Sequence, residues 1–157
     1  MAVTTDQIKT DYPLPVYNYR VEIGGDAVAF SEVSGLSIAY EVTTYKESPT
    51  ASGAAGPRTM HMPAQATLTT ITLKKGLVRK ASMAALYNWI KTVRTNQIEK
   101  KDIFVRLCDE QGAAVISWKV GNAFPVKLDA PTFDAKSNDA AIESMELKAD
   151  YITVEEA

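Results

Sequence analysis

His61, in Met60-His61-Met62-Pro63, is the single histidine of the sequence and the first place to look for acid–base or nucleophilic chemistry. A catalytic histidine needs a hydroxyl or thiol to activate and a carboxylate to orient it. The Gly-x-Ser-x-Gly turn that would present such a serine between a strand and a helix does not occur. Cys108 is followed by Asp109 and Glu110, whose negative charge disfavours a thiolate, so it reads as a small packed residue. One cysteine cannot form an internal disulfide, and one histidine cannot build a multi-histidine metal site. Glu143 and Glu146 are three apart on an expected strand, which puts them on opposite faces and denies them a shared acid–base role.

The basic pairs Lys74-Lys75, Arg79-Lys80 and Lys100-Lys101 lack the interleaved aromatics of a nucleic-acid surface. Lys plus Arg number 17 against 19 Asp plus Glu, a net charge of -2, so bulk attraction to nucleic acid or an anionic membrane is absent. Gly24-Gly25 runs into Asp26, an acid where a phosphate loop wants a cation. The expectation is a protein without catalysis, cofactor or metal.

The elements that position these residues are mostly strands. At 157 residues, with 46% hydrophobic and 23% charged residues, the chain suits one domain, residues 1–157, with 1–14 as an N-terminal arm. The N-terminus has neither the basic start nor the apolar core of a secretory signal, so synthesis in the producer's cytoplasm is expected. The longest uncharged apolar-leaning stretch, Ala81 to Ile90, is half the length of a membrane span, and no membrane insertion is expected.

Tyr17, Tyr19, Val21 and Ile23 alternate with polar residues across Val16 to Ile23, and Gly24-Gly25-Asp26 turns the chain into a hairpin partner, Ala27 to Val33. Leu36 to Glu47 reads as a long strand. Leu36, Ile38, Tyr40 and Val42 lie on one face; Ser37, Ala39, Glu41 and Thr43 lie on the other. Ala66 to Lys75 is a β-branched strand whose apolar phase shifts between Leu68 and the Ile71, Leu73 pair, the sign of a bulge or a changed face. Residues 48–64 hold Pro49, Gly53, Gly56, Pro57 and Pro63, and read as an extended contact loop, longer than compact domains usually carry.

A helix is expected from about Ala81 to Thr95, with Leu86, Trp89, Ile90 and Val93 facing the core. Ile103, Val105 and Leu107 form the next strand. Ala114 to Val120 follows a turn at Asp109 to Gly112 and extends through Phe124 to Leu128 past a kink at Gly121-Asn122. Met145, Leu147, Ala149 and Tyr151 mark the last strand.

One helix cannot cover both faces of so much sheet, so its edges must be closed, blunted or paired with another chain. Closure within one subunit gives a small barrel, a monomeric carrier of an apolar ligand. Closure across several subunits gives a wide barrel with water inside, which tolerates a polar inner face such as Ser37, Glu41 and Thr43. The pattern alone leaves both open.

Four stretches carry a family likeness. They are Phe30-Ser31-Glu32-Val33-Ser34-Gly35-Leu36 with Tyr45-Lys46-Glu47; Ile71-Thr72-Leu73-Lys74-Lys75-Gly76-Leu77 with Leu86-Tyr87-Asn88-Trp89; Trp118 through Lys127; and Ala135-Lys136-Ser137-Asn138 with Ala141-Ile142-Glu143. Over about Pro15 to Ile152 the chain resembles the inner tube proteins of contractile phage tails and extracellular contractile injection systems, relatives of the type VI secretion needle protein.

The resemblance implies a mainly β fold, a small β-barrel or sandwich with one flanking helix, its sheet completed across six-membered rings. Stacked rings then form a hollow conduit inside a contractile sheath. Implied partners are copies of the chain itself, the sheath protein, baseplate or spike and tube terminator proteins, and cargo, DNA or a tape-measure protein in the lumen. The assembled chain is expected in a phage tail or tail-like particle; a tube-like baseplate adaptor is the variant reading.

Thr50, Ser52, Gly53, Gly56, Pro57, Arg58, Met60, His61 and Met62 become candidates for contact between subunits or rings. Ser37, Glu41, Thr43, Thr70, Thr72, Glu146 and Lys148 become lumen-facing candidates. The sequence departs from the family pattern at Ser48-Pro49, where a glycine-rich turn is usual, and at Pro63-Ala64, where Pro-Gly is usual.

Overall fold

Val21 and Ile23 point into the core from β1 (Tyr19–Ile23), while Arg20 and Glu22 face outward. Gly24 and Gly25 both take positive φ (58° and 94°), the geometry of a two-residue turn whose twist matches its strands, and lead into β2 (Asp26–Val28). The structure is a computed structural model describing residues 1–53, 55–68, 70–94 and 97–156. Ala54 in the expected loop, Thr69 in an expected strand and Thr95 at the expected helix end lie outside the described residues.

The chain continues through β3 (Glu32–Ser34), β4 (Ala39–Glu47), β5 (Arg58–Thr67), β6 (Ile71–Gly76), β7 (Lys101–Cys108), β8 (Ala114–Asp129), β9 (Ile142–Lys148) and β10 (Tyr151–Glu156). Every pairing is antiparallel. The main path runs β2-β1-β7-β8-β9-β6-β3, with β10 on β8 and the β4–β5 hairpin apart. The fold is mainly β, and its sheet ends at β2 and β3 without closing on itself.

β8 is the hinge of the architecture. Its first half pairs with β7 and β10 and its second half with β9, so one strand of 16 residues serves two layers. The change falls at the expected kink. Asn122 adopts φ 52°, and its N–H donates to Asp102 Oδ1 at 3.0 Å; Gly121 lies against the Tyr151 ring, leaving no room for a Cβ. Val21, Ile23, Ile103, Val105, Val120 and Ile152 from the first layer meet Ile71, Leu73, Met145 and Leu147 from the second.

The helical segment is shorter than expected. It runs over residues 81–90, as a wide π turn at Met83–Tyr87 continuing into α2 (Asn88–Ile90), and Val93 lies beyond it. Leu86 and Trp89 are its buried apolar residues, Ala85 and Ile90 pack against the core beside them, and Trp89 Nε1 donates to the Glu99 carbonyl at 2.8 Å. A second helix, α1 (Thr5–Asp11), forms in the arm. It is nucleated by a capping box in which Thr4 and Gln7 satisfy each other's backbone N–H, and it buries no residue. Among the described residues no helix is long and apolar enough to cross a membrane.

Three expected strands are each two. Ala27 to Val33 divides into β2 and β3, which sit at opposite ends of the path; Phe30 between them packs against the core. Ser144 to Tyr151 is interrupted after Lys148, at Ala149 and Asp150 opposite the Asn122 kink, and β10 then continues along the same edge of β8 in the same register. Ala66 to Lys75 divides where the apolar phase shifts, since β5 belongs to the hairpin and β6 to the second layer. Val16 and Tyr17, expected on β1, precede it and are exposed.

β3 and β6 pair with each other, so the β4–β5 hairpin prolongs that pair beyond the layer. The joint requires Gly35, whose φ is 87° and whose missing side chain makes room for the Thr70 carbonyl. Gly35→Ala is therefore expected to cost more than the ~1–3 kcal/mol of backbone strain alone. Gly25→Ala, also at positive φ but with nothing within 4 Å of the added carbon, is the matched control. Urea denaturation of the two variants checks this; equal midpoints would contradict the close approach at the joint.

Candidate functional site

The hairpin, a two-stranded sheet apart from the main path among the described residues, is the first surface to consider. Its register pairs Thr43 with Met62, Thr44 with His61, Tyr45 with Met60, Lys46 with Thr59 and Glu47 with Arg58, and a bulge interrupts it at Glu41. Cross-strand neighbours share a face. One face therefore carries Thr43, Tyr45, Met60 and Met62, ending in the Glu47–Arg58 ion pair at 3.8 Å. The other carries Val42, Thr44, Lys46, Thr59, His61 and Pro63, with Thr44 Oγ1 3.3 Å from His61 Nδ1.

Tyr40 is 63% exposed and Val42 66%, so the face expected to be dry is open to solvent. Contiguous apolar surface of this kind on a folded chain marks a place where another molecule sits.

The expected loop 48–64 is corrected here. Among the described residues, 48–53 and 55–57 are irregular; Arg58, Met60, His61 and Met62 are on β5, while Thr50, Ser52, Gly53, Gly56 and Pro57 occupy the exposed connection. Pro63 obscured the strand. It lacks the N–H a central strand needs, yet it is tolerated beside a bulge in a hairpin whose outer edges are unpaired.

The second surface is the outer face of the second layer. Because Ile71, Leu73, Met145 and Leu147 turn inward, Thr72, Lys74, Ser144, Glu146 and Lys148 turn outward. Register aligns Ser34, Thr72, Glu146 and Lys127 in one row across four strands, and Glu32, Lys74, Ser144 and Asp129 in the next. Lys148 Nζ donates to Thr70 Oγ1 at 2.6 Å; Lys74–Glu32 and Lys127–Asp129 are ion pairs at 3.3 and 3.4 Å.

Thr70, Thr72, Glu146 and Lys148 thus come together. Ser37, Glu41 and Thr43 do not join them: Ser37 lies in the connection before β4, Glu41 at the bulge and Thr43 on the Tyr45 face. Sequence reasoning missed Ser34, Lys74, Lys127, Ser144 and Asp129, whose signal was their place out of phase with the core residues.

A third feature is an apolar groove of about 700 Å³ along Val16, Tyr17, Phe30, Leu36, Leu107 and Trp118. It runs over the surface of an open sheet, whereas the monomeric carrier requires the interior of a closed one. At its rim Tyr19 donates to the Phe30 carbonyl at 2.7 Å, and burial, followed by the Glu32 charge, raises its phenol above the ordinary value. Glu143 and Glu146 lie on opposite faces as expected, Glu143 buried with the core and Glu146 among the polar rows.

Comparison with known proteins follows this geometry closely. The family model for the T4-like virus tail tube protein gp19 matches residues 15–153. A chain of the PVC sheath–tube complex, an extracellular contractile injection system in its extended state, is 36% identical. It superposes with a TM-score of 0.88 over 99% of this chain and 100% of that one. A chain of the anti-feeding prophage cap, the AFP tube terminating cap, is 38% identical with a TM-score of 0.84, covering 100% of both chains. Hcp1 from Flavobacterium johnsoniae shares the fold at 21% identity and a TM-score of 0.51, over 90% of this chain and 97% of that one. Among curated proteins none matches.

Since no other element of the described residues pairs with the hairpin and Met62 and Tyr45 are exposed, Met62→Ser is expected to change the stability of the dispersed chain by no more than ~0.5 kcal/mol. Leu147→Ala, in the core, is expected to lose about 2–5 kcal/mol. Denaturation of both variants measures the contrast, and a large loss in Met62→Ser would mean that the face is covered internally.

Proposed function

The chain belongs to the T4-like virus tail tube protein gp19 family and is a structural subunit of the inner tube of a contractile injection system, and from that premise we propose how it builds the tube. Six copies form a ring, and rings stack into a hollow conduit. The second layer faces the lumen and the helical segment lies away from it. Thr70, Thr72, Glu146 and Lys148, with Ser34, Lys74, Lys127, Ser144 and Asp129, line the passage.

One observation carries this reading: the layer with the polar outer face has, among the described residues, an open border on each side. β3 ends the path on one side, and the second half of β8 has a partner only in β9 on the other. Unpaired strand borders are satisfied by a neighbour, and repeated head-to-tail contact closes a ring when the rotation per subunit is right. A lining whose central rows are polar grips weakly what moves past it.

The uncovered hairpin is the contact arm between subunits or rings. Its connection (Thr50, Ser52, Gly53, Gly56, Pro57) and the strand residues Arg58, Met60, His61 and Met62 make the contact. Thr43 and Glu41 belong with this arm. Residues 1–157 act as one domain, with 1–14 as an arm, and the role is mechanical, without catalysis.

The tube lies inside a sheath and ends at a terminator and a baseplate, in a phage tail-like particle. The relatives in the PVC sheath–tube complex and the AFP tube terminating cap support those partners. A baseplate adaptor would form a ring that does not propagate.

Negative-stain microscopy of the purified protein tests the proposal, with rings or hollow rods as the expected result. Deleting residues 51–57 is expected to leave the chain folded by circular dichroism while abolishing long tubes. Dispersed small particles at high concentration would overturn the ring, and normal tubes from the deletion would overturn the arm.

A further inference from the structure

The polar face has a specific charge pattern. Among the described residues of β3, β6, β9 and the second half of β8, its ionised groups are Lys74, Lys127 and Lys148 against Glu32, Asp129 and Glu146, three of each sign. They alternate rather than segregate. Lys74 pairs with Glu32, Lys127 pairs with Asp129, and Lys127 sits opposite Glu146 in register. Adjacent strands are about 4.8 Å apart, so opposite charges lie within one Debye length, about 8 Å at physiological salt. Their fields cancel before they reach the middle of a channel.

Resting on the reading of this face as the lumen, we infer that the lining is blind to the charge of its cargo and fits polypeptides of either net sign. A conduit dedicated to a phosphate polymer gains from a uniformly acidic wall, along which the polymer slides without being held. Three lysines per subunit serve that purpose badly, since each offers a phosphate contact. A wall that must pass polypeptides differing in net charge gains from cancellation, because either sign of surplus would hold one class and exclude the other. Tyrosines and tryptophans lie elsewhere, and the apolar groups of this layer's outer side, Phe124, Val126 and Ile142, sit at the ends of its strands or at the bulge rather than within the charged rows.

The test uses assembled tubes and three labelled peptides of equal length, lysine-rich, glutamate-rich and neutral, with a single-stranded oligonucleotide as a fourth probe. Tubes form in the presence of each probe, are pelleted, and the retained label is counted after washing. The expected result is retention of all three peptides within about twofold, a difference under ~0.5 kcal/mol, with the oligonucleotide held no more strongly.

Lys127→Glu with Lys148→Glu makes the wall acidic, and Asp129→Lys makes it basic. Each variant is expected to shift the ratio of lysine-rich to glutamate-rich peptide by more than tenfold, in opposite directions. Lys127 and Lys148 are exposed in the chain and Asp129 is half-buried, and either variant alone suffices if the other fails to assemble. Unequal peptide retention by the wild-type tube, preferential retention of the oligonucleotide, or unchanged ratios in an assembled variant would each overturn the inference. Absence of wild-type tubes would instead overturn the tube architecture on which it rests.

Discussion

A strand's backbone donors and acceptors must be paired by something, and in this chain the folded molecule does not supply all the partners. The path from β2 to β3 ends at both sides without closing. Leaving several strand borders to water is compatible with solubility but invites pairing with another chain. The rest of the structure is consistent with borders that are meant to be finished. Tyr40, Val42, Tyr45 and Met62, apolar residues outside the core, lie together on the element that continues an open border.

The division of labour between layers comes from β8. A straight strand of that length would belong to one sheet and leave the other without a connection through the core. The left-handed Asn122 re-aims the chain after Gly121, so Val120 and Ala123 both end buried although three residues apart. Strict alternation would put one of them outside. The second layer then gains a dry side toward the first and a wet side away from it. That wet side exists only because the first layer, with Leu86 and Trp89, already covers the dry one.

Much of this was legible in the sequence where local rules decide. Alternation in β1, β7, β8 and β9 identified the core residues, and Gly24-Gly25 fixed the first turn because two consecutive positive φ values suit few other residues. The kink at Gly121-Asn122 was equally visible. What was not legible depends on which sheet a strand joins. Ala66 to Lys75 looks like one strand because β propensity persists across it, and only tertiary pairing separates β5 from β6. Leu36, Ile38, Tyr40 and Val42 alternate as a buried face would, but alternation reports that one side is apolar, not that the same chain covers it. Four of the seven lumen candidates fell on one face for the same reason. Thr70, Thr72, Glu146 and Lys148 follow from the phase of core residues on their own strands, whereas Ser37, Glu41 and Thr43 were placed by a strand that leaves the layer. The first turn of α1 was missed, although Thr4 and Gln7 stand at capping-box spacing.

The register between β6 and β9 decides whether the polar outer face exists at all. A slip of one residue would send Leu73 and Met145 to the wet side and bring Thr72 and Glu146 into the core. Lys75 and Glu143 lie directly opposite each other in the native register, on the buried side, at 5% and 6% exposure. Two ionisable groups taken out of water are a poor way to gain stability, because desolvation offsets their attraction. Glu143 Oε1 has no hydrogen-bond partner among the described residues, so the site is not optimised as an ion pair. Its physical consequence is discrimination: only one register sets the two charges against each other, and any slip leaves each buried beside an uncharged neighbour or drives it out with the whole strand. Lys75 and Glu143 thus face each other only in the register that leaves the outer side of the layer polar.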